Sequence, residues 1–144
     1  MKIQTKYHGE QTIEQSDILT FSNGIPGFEG EKKFVLLAFP DNDVFSALQS
    51  VSTPDLSFIV TDPFSFFIDY NVKIDDATIE ALSIEREEDV KLFNILTVRD
   101  PFQETTANLQ APVVINKKTN SGRQLILTGT PYETRHNLFQ EKEA

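Results

Sequence analysis

The sequence predicts a mainly β, single-domain fold: an antiparallel β-barrel-like structure with one short α-helix around residues 75–82. The chain has 144 residues, the length of one typical domain, so we interpret residues 1–144 as one unit. Its apolar segments are short and are separated by turn-forming residues, a pattern that favours an antiparallel barrel or sandwich. One segment differs, because its apolar residues lie at helical spacing.

The predicted strands begin close to the start of the chain, where Ile3, Thr5 and Tyr7 alternate with polar residues as in a half-buried strand. Further strands are predicted at residues 18–21, 34–39, 45–51, 56–61, 90–98, 112–116 and 124–128. Residues 117–122 (KKTNSG) predict a hairpin turn between the last two strands, because Asn and Gly suit tight turns.

Two of these strands end in the same motif, Val-x-Asp-Pro-Phe, at residues 60–64 and 98–102. Proline fixes φ and lacks the N–H group that a strand ladder uses, and an aspartate before it favours a turn. We therefore expect both strands to stop at this motif.

The helix is predicted at residues 75–82 (DDATIEAL). Ile79 and Leu82 lie at helical spacing, and Asp75 precedes the first turn, where its carboxylate can cap free backbone N–H groups. We expect this helix to plug or cover one side of the barrel. The polar tail from about residue 139 is expected to be flexible.

A glycine-rich loop, residues 24–30 (GIPGFEG), lies between two predicted strands. Its glycine spacing matches neither common phosphate-loop motif, and Glu29 would repel a phosphate group. Pro26 fixes its own φ, and Gly27 is free to adopt a positive φ. We interpret this loop as a rigid turn.

The net charge of −9 is concentrated in the middle of the chain. Residues 34–89 contain twelve acidic and two basic residues, whereas the remainder contains ten acidic and eleven basic residues. A negative field repels nucleic acid and favours encounter with basic proteins. The aromatic-rich segment 58–70 has no Lys or Arg, which argues against direct nucleic-acid binding. A solvated acidic surface that serves solubility alone accounts equally well for the charge.

No residue pattern in the chain indicates catalysis, a metal or a cofactor. The chain has no cysteine, which excludes disulfides and thiolate ligands. Its two histidines, His8 and His136, occur in no zinc-binding motif, and its serines occur in no nucleophile elbow. Carboxylate runs at residues 75–76 and 87–89 are typical of a solvated face. We therefore expect a protein that is not an enzyme and binds no cofactor.

The sequence also predicts a cytoplasmic protein that does not contact a membrane. Residues 1–10 have no apolar run behind their lysine, unlike a signal peptide. The longest apolar stretch, residues 34–39, is far shorter than the ~20 residues of a membrane helix.

Four segments carry distinctive motifs. Residues 21–29 read FSNGIPGFE, residues 56–64 read LSFIVTDPF, residues 105–116 read TTANLQAPVVIN, and residues 122–124 read GRQ. In this order and spacing they resemble the motifs of the bacterial flagellar assembly factor FliW family. The resemblance covers nearly the whole chain, roughly residues 3–139.

The resemblance implies a small, β-barrel-like regulator of flagellum assembly. It implies that the protein binds the translational repressor CsrA away from the RNA-binding surface of CsrA and so relieves repression of flagellin mRNA. It also implies binding to flagellin, in a loop where accumulating flagellin captures the factor and frees CsrA. Charge complementarity is one way for an acidic protein to act on an RNA-binding protein.

Partner contacts are predicted at polar and acidic residues near the aromatic segment and the helix start: Gln49, Asp55, Asp69, Tyr70, Asp75 and Asp76. Residues of the motifs that restrict the backbone are predicted to be architectural: Ile25, Pro26, Gly27, Pro63 and Pro112.

Two alternatives remain open at this point. A small barrel with a wide interior can carry a hydrophobic ligand, in which case the twelve phenylalanines would line a cavity instead of a core. A hydrolase that uses paired carboxylates would show a bell-shaped dependence of rate on pH.

Overall fold

The computed structural model describes residues 1–40 and 44–139, so the predicted flexible tail beyond Phe139 lies outside the described residues. Within them the chain is mainly β, as predicted. The strands are β1 (Lys2–Gln4), β2 (Glu10–Thr12), β3 (Leu19–Thr20), β4 (Lys33–Ala38), β5 (Phe45–Ser50), β6 (Ser57–Thr61), β7 (Val90–Thr97), β8 (Thr106–Ala107), β9 (Val113–Asn116), β10 (Ser121–Gln124) and β11 (His136–Asn137). Helix α1 spans Asp76–Ala81, and short 3₁₀ turns lie at Gln15–Asp17, Pro63–Ser65, Glu87–Asp89 and Phe102–Glu104.

Seven of these strands form a closed barrel in the order β7-β6-β5-β4-β3-β10-β9, and β9 pairs again with β7. The pairings are antiparallel except between β10 and β3, where Ser121 lies opposite Thr20. β8 and β11 extend the sheet from the second half of β7, and β1 pairs with β2 in a separate hairpin. The predicted barrel with one short helix is confirmed, with one parallel pairing at its seam.

Large apolar side chains fill the barrel. Successive strand residues point to opposite faces, and Phe34, Leu48 and Val60 point inward, each no more than 1% exposed. Phe21 packs edge-on against Phe34, with ring centroids 5.4 Å apart. Gly122 on β10 lies against the ring of Phe21, so closely that a Cβ at this position would be 2.5 Å from Cζ of Phe21. A glycine is therefore required where β10 crosses this ring.

The glycine-rich loop forms a tight turn between β3 and β4, as predicted. Gly27 has a φ of +90°, a backbone conformation that residues other than glycine rarely adopt. Gly24 has a φ of +65°, and a Cβ there would lie 2.6 Å from the carbonyl oxygen of Glu29. Close packing of the loop on itself thus explains its glycines.

Helix α1 covers the outer face of the barrel. The carboxylate of Asp75 accepts a hydrogen bond from the backbone N–H of Thr78 at 2.9 Å, which confirms the predicted cap. At the other end, Leu82 is buried against Val114 of β9. Because Val114 follows the inward-facing Val113, it points outward, so α1 lies against the outside of the barrel wall.

Two strand predictions are wrong in their bounds. The alternation that begins at Ile3 forms a strand only over β1, because the chain turns back where the N–H of Thr5 donates to the carbonyl of Gly9. The predicted strand at residues 124–128 instead starts at Ser121, inside the predicted turn, and ends at Gln124. Close approach of β10 to the core sets its register with β9, and the residues that follow form single hydrogen bonds without a ladder.

The short strands β2, β8 and β11 were not predicted. They are two or three residues long and show no apolar alternation in the sequence. Both Val-x-Asp-Pro-Phe motifs end a strand as predicted, because β6 stops at Thr61 and β7 stops at Thr97.

Candidate docking groove

The six predicted contact residues lie in different parts of the molecule, and two of them are buried. Gln49 on β5 is fully buried. Its Oε1 accepts from the N–H of Lys6 at 3.0 Å, and its Nε2 donates to the carbonyls of Ser50 at 3.0 Å and Pro54 at 3.1 Å. The amide therefore joins the N-terminal segment to the β5–β6 turn, and the structure gives it an architectural role.

Tyr70 is the second buried candidate, with 5% of the residue exposed. Its hydroxyl donates to the carbonyl of Leu109 at 2.5 Å and lies 3.4 Å from Nδ2 of Asn94. Burial in this environment raises the pKa of Tyr70 to about 12. The side chain holds the segment before α1 against the outer face of the barrel.

Asp55 is exposed in the β5–β6 turn, away from the other acidic candidates. Asp62 follows at the opposite end of β6, so the strand separates these two carboxylates by roughly 15–20 Å. Glu31, which lies just before β4, reaches this turn and accepts hydrogen bonds from the hydroxyls of Ser50 and Thr53. These bonds, that of Ser50 first, lower the pKa of Glu31.

Asp69, Asp75 and Asp76 are exposed on the segment that leads into α1. Asp75 and Asp76 directly follow Ile74, which lines a large groove. Hydrogen bonding to Thr78, whose backbone N–H donates to this carboxylate, lowers the pKa of Asp75, so this carboxylate is a cap as well as a surface charge. Asp69 lines a smaller neighbouring cleft of about 330 Å³.

The large groove, which we call the α1 groove, lies between α1, the 3₁₀ turn at Pro63–Ser65 and the first half of β7. Its volume is about 850 Å³, within the range of pockets that bind ligands. The apolar lining residues are Phe64, Val72, Ile74, Ile79, Ile84, Val90 and Leu92. The polar and charged lining residues are Asp62, Asn71, Lys73, Glu87 and Lys91.

Two apolar side chains of the α1 groove are open to solvent: Phe64 is 47% exposed and Ile79 is 37% exposed. Of the two apolar residues at helical spacing, Leu82 is buried, whereas Ile79 faces the groove. Thr78 beside Ile79 is fully buried. The short helix is held in this rotation at both ends, by the cap at Asp75 and by a hydrogen bond from Asn116 to the carbonyl of Leu82.

The chain around the α1 groove is strongly acidic. Residues 62–92 contain nine acidic and three basic residues, so they carry −6 of the net charge of −9. Seven of the nine acidic side chains are exposed. An apolar groove in an acidic surface is complementary to a partner segment with apolar and basic side chains.

Reasoning from the sequence missed the apolar members of this surface. Phe66 and Phe67 are both half-buried, whereas Phe64 is the exposed ring. The cluster of four phenylalanines within residues 58–67 was the available signal. It could not say which ring is exposed, because that depends on the 3₁₀ turn at Pro63–Ser65.

The histidines take part in local structure. Nε2 of His8 lies 3.1 Å from the carbonyl oxygen of Ala38, and Nε2 of His136 accepts from the N–H of Glu133 at 2.7 Å. Within residues 1–40 and 44–139, no three His, Asp or Glu side chains are grouped as metal ligands are. In that same part of the chain, no helix has the length and apolar character needed to cross a membrane.

Comparison with known proteins gives one consistent result. The family model described as FliW protein matches residues 2–138. The flagellar assembly factor FliW of Geobacillus kaustophilus (strain HTA426) is 56% identical over 144 residues, which cover 100% of this chain and 99% of the relative. The protein of the same name from Bacillus subtilis (strain 168) is 44% identical over 141 residues, 98% of this chain and 99% of the relative.

A solved structure agrees with these relatives. A crystal structure of the flagellar assembly factor FliW matches with a TM-score of 0.95 and 54% identity, covering 99% of this chain and 100% of that one. Sequence motifs, family model and three-dimensional fold thus coincide over almost the full length. The chain belongs to the FliW family.

Proposed function

We propose that this protein is a non-catalytic, cytoplasmic flagellar assembly factor that binds and antagonises a CsrA-type translational repressor and also binds flagellin. The observation that carries the proposal is the full-length relationship to proteins named flagellar assembly factor FliW, at 44–56% identity. The repressor and flagellin are the partners that the motif resemblance implies.

The charge of the α1 groove supports a basic, RNA-binding partner. An acidic body bound beside the RNA path of the repressor would repel phosphates over a Debye length of ~8 Å. If the contact is remote from the RNA surface, antagonism requires a coupling free energy of ~1–3 kcal/mol between the two ligands of the repressor. The protein itself is expected to bind no RNA, since its negative field opposes such contact.

The first test is a calorimetric titration of the protein into a purified CsrA-type repressor, repeated with flagellin already bound to the protein. We expect direct binding in the first titration and its loss in the second, because the two partners compete for one factor. A titration with flagellin denatured beforehand is the matched control. No binding to either native partner would overturn the proposal.

A second test separates electrostatic repulsion from binding. Raising the salt concentration screens phosphate repulsion, so we expect release of RNA from the repressor to weaken more than binding of the protein to the repressor does. Equal weakening of both would remove the electrostatic account and leave a conformational change in the repressor.

The carrier alternative gains no support from the core. Phe21, Phe34, Leu48 and Val60 are fully or almost fully buried and occupy the interior where a ligand would lie. A hydrophobic ligand that co-purifies in a native mass spectrum would favour the carrier function over the regulatory one.

A further inference from the structure

The first half of β7 is paired on one side and open on the other. Residues Val90–Phe93 pair with β9, whereas β6 pairs with β7 only at Asn94 and Ile95. In an antiparallel strand, successive residues direct their N–H and C=O groups to opposite sides. Half of the residues in this part of β7 therefore direct their backbone groups away from β9.

Hydrogen bonds at both ends of β7 identify these residues. The carbonyl of Asp89 accepts from the N–H of Lys117 at 2.8 Å, and the carbonyl of Ile95 accepts from the N–H of Asn108 at 3.0 Å. Odd-numbered residues of β7 thus face β9 and β8. Val90 and Leu92 face the opposite side, towards the α1 groove that both residues line.

Three backbone groups at this edge lack a partner strand. The N–H of Val90 donates to the carbonyl of Glu87. The carbonyl of Val90 and both the N–H and the carbonyl of Leu92 face the side of β7 on which β6, within residues 1–40 and 44–139, pairs only at Asn94 and Ile95. Open backbone groups on a strand edge are a template for another strand.

The end of β6 explains why this position is open. Val60 lies opposite Ile95 and Thr61 lies opposite Asn94, so the next residue to face Leu92 in the same register would be Pro63. Pro63 has no N–H to donate, and the chain leaves the sheet there in a 3₁₀ turn. The groove begins where β6 departs.

We propose that the repressor adds a short β-strand to the open edge of β7 at Leu92 and places apolar side chains of that strand in the α1 groove. Strand addition derives affinity from main-chain hydrogen bonds and specificity from pockets for alternate side chains. The added segment should carry Lys or Arg beside its apolar residues, because residues 62–92 carry nine acidic and three basic residues. This inference rests on the proposed function and states how the partner binds.

Amide hydrogen exchange on the full chain, with and without saturating repressor, tests the inference at single residues. In the free protein, the Leu92 amide should exchange faster than its neighbours Lys91 and Phe93, whose N–H groups face β9. Repressor should slow exchange at Leu92 by about tenfold or more. Slow exchange at Leu92 in the free protein, or unchanged exchange in the complex, would overturn the inference.

Substitution of Leu92 tests the same edge by affinity. Leu92→Pro removes the N–H group without removing a hydrogen bond to β9, and Leu92→Ala controls for the lost side chain. We expect Leu92→Pro to weaken repressor binding by about tenfold more than Leu92→Ala does. Equal affinities of the two folded variants would contradict strand addition.

A groove variant keeps the inference testable if the proline variant does not fold. Ile79→Lys places a positive charge in the groove, and Ile126→Lys is the control at a 65% exposed isoleucine that does not line it. The first should weaken repressor binding by about tenfold and the second should leave it unchanged. Equal effects of the two substitutions on repressor binding would overturn the placement of the added strand in the α1 groove. Slower amide exchange at Leu92 with flagellin in place of the repressor would overturn it as well. Failure of the unmodified protein to bind repressor would instead overturn the proposed function.

Discussion

Nδ2 of Asn116 on β9 donates to the carbonyl oxygen of Leu82 at the end of α1, over 2.7 Å. Oδ1 of the same amide accepts from the N–H of Lys118 at 2.9 Å. Asn116 is 1% exposed, so one buried amide joins the helix to the barrel wall and shapes the turn that leads to β10. This bond positions the helix that forms one side of the α1 groove.

Loss of this amide should destabilise the protein. Asn116→Ala leaves the carbonyl of Leu82 with only the longer bond, 3.3 Å, from the hydroxyl of Thr119, and it removes the acceptor of the Lys118 N–H. Loss of such bonds at a buried amide costs about 1–3 kcal/mol. The free energy of unfolding, measured by urea titration, should fall by that amount. The control is Asn137→Ala at an exposed residue of β11, which should change it by less than about 0.5 kcal/mol. Equal effects of the two variants would contradict the role given to Asn116.

The two glycines Gly122 and Gly30 offer a matched pair. A Cβ at Gly122 would lie 2.5 Å from the ring of Phe21, whereas a Cβ at Gly30 would have no heavy atom within 4 Å. Gly122→Ala should therefore lower the free energy of unfolding by about 1–3 kcal/mol through overpacking. Gly30→Ala should leave it unchanged or raise it slightly, since neither strain nor contact opposes the methyl group. A stable Gly122→Ala variant would show that Phe21 can move aside.

Tyr70 makes stability depend on pH in the alkaline range. Burial raises the pKa of Tyr70 to about 12, above the ordinary value of 10.0, so the folded protein holds this proton more tightly than the unfolded chain does. The contribution of Tyr70 to stability is therefore complete below the ordinary pKa and is lost as pH rises towards the folded pKa.

Urea unfolding at several pH values from about 9 to about 11 measures this loss, and Tyr70→Phe removes it. Tyr70→Phe should also lower stability at neutral pH, because the carbonyl of Leu109 loses its donor. Phenolate absorbance should show one of the three tyrosines titrating late. A pH dependence that is the same in the variant and in the unmodified protein would contradict this assignment.

Asp75 allows capping and surface charge to be separated. Asp75→Ala removes the acceptor of the Thr78 N–H and should destabilise the protein by about 0.5–2 kcal/mol, whereas Asp75→Asn keeps a capping oxygen. Because hydrogen bonding lowers the pKa of Asp75, its ionised form stabilises the fold above the ordinary pKa. That contribution is lost as pH falls through the lowered pKa. Thermal unfolding between about pH 5 and about pH 2 should show a smaller loss of stability in Asp75→Asn than in the unmodified protein, since Glu31, whose pKa is also lowered, contributes to the loss in both.

Charge reversal at the surface should affect partner binding and not folding. Asp69→Lys and Asp76→Lys each place a positive charge on an exposed position and should weaken binding of the repressor, measured by calorimetry. The thermal midpoint should stay within a few degrees of that of the unmodified protein. Unchanged affinity in both variants would exclude acidic contacts at these positions.

Much of the fold could be predicted because its signals are local. The apolar segments that form β4 and β5, the proline that ends β6 and the cap at Asp75 each depend on neighbours within one strand or turn. The strand bounds at 121–124 could not be predicted in this way. They depend on the contact between Gly122 and Phe21, residues a hundred positions apart in the chain.

The candidate site shows the same division. Exposure of Asp69, Asp75 and Asp76 is consistent with an acidic run on a solvated face. Burial of Gln49 and Tyr70 was not visible, because a polar side chain in a sequence can serve equally as a surface contact or as part of a buried network. Which of the two it becomes depends on distant partners, the N–H of Lys6 and the carbonyl of Leu109.

By itself, the sequence determined that the protein is a small acidic β-barrel with one capped helix and that it carries the motifs of the FliW family. These features can be recognised from the sequence because apolar segments, turn residues and motifs are each properties of short stretches of chain. The tertiary structure alone decided the parallel seam between Ser121 and Thr20, the groove beside α1 and the open strand edge at Leu92. Each of these is a relation between segments far apart in the chain, and such relations arise only when the barrel closes.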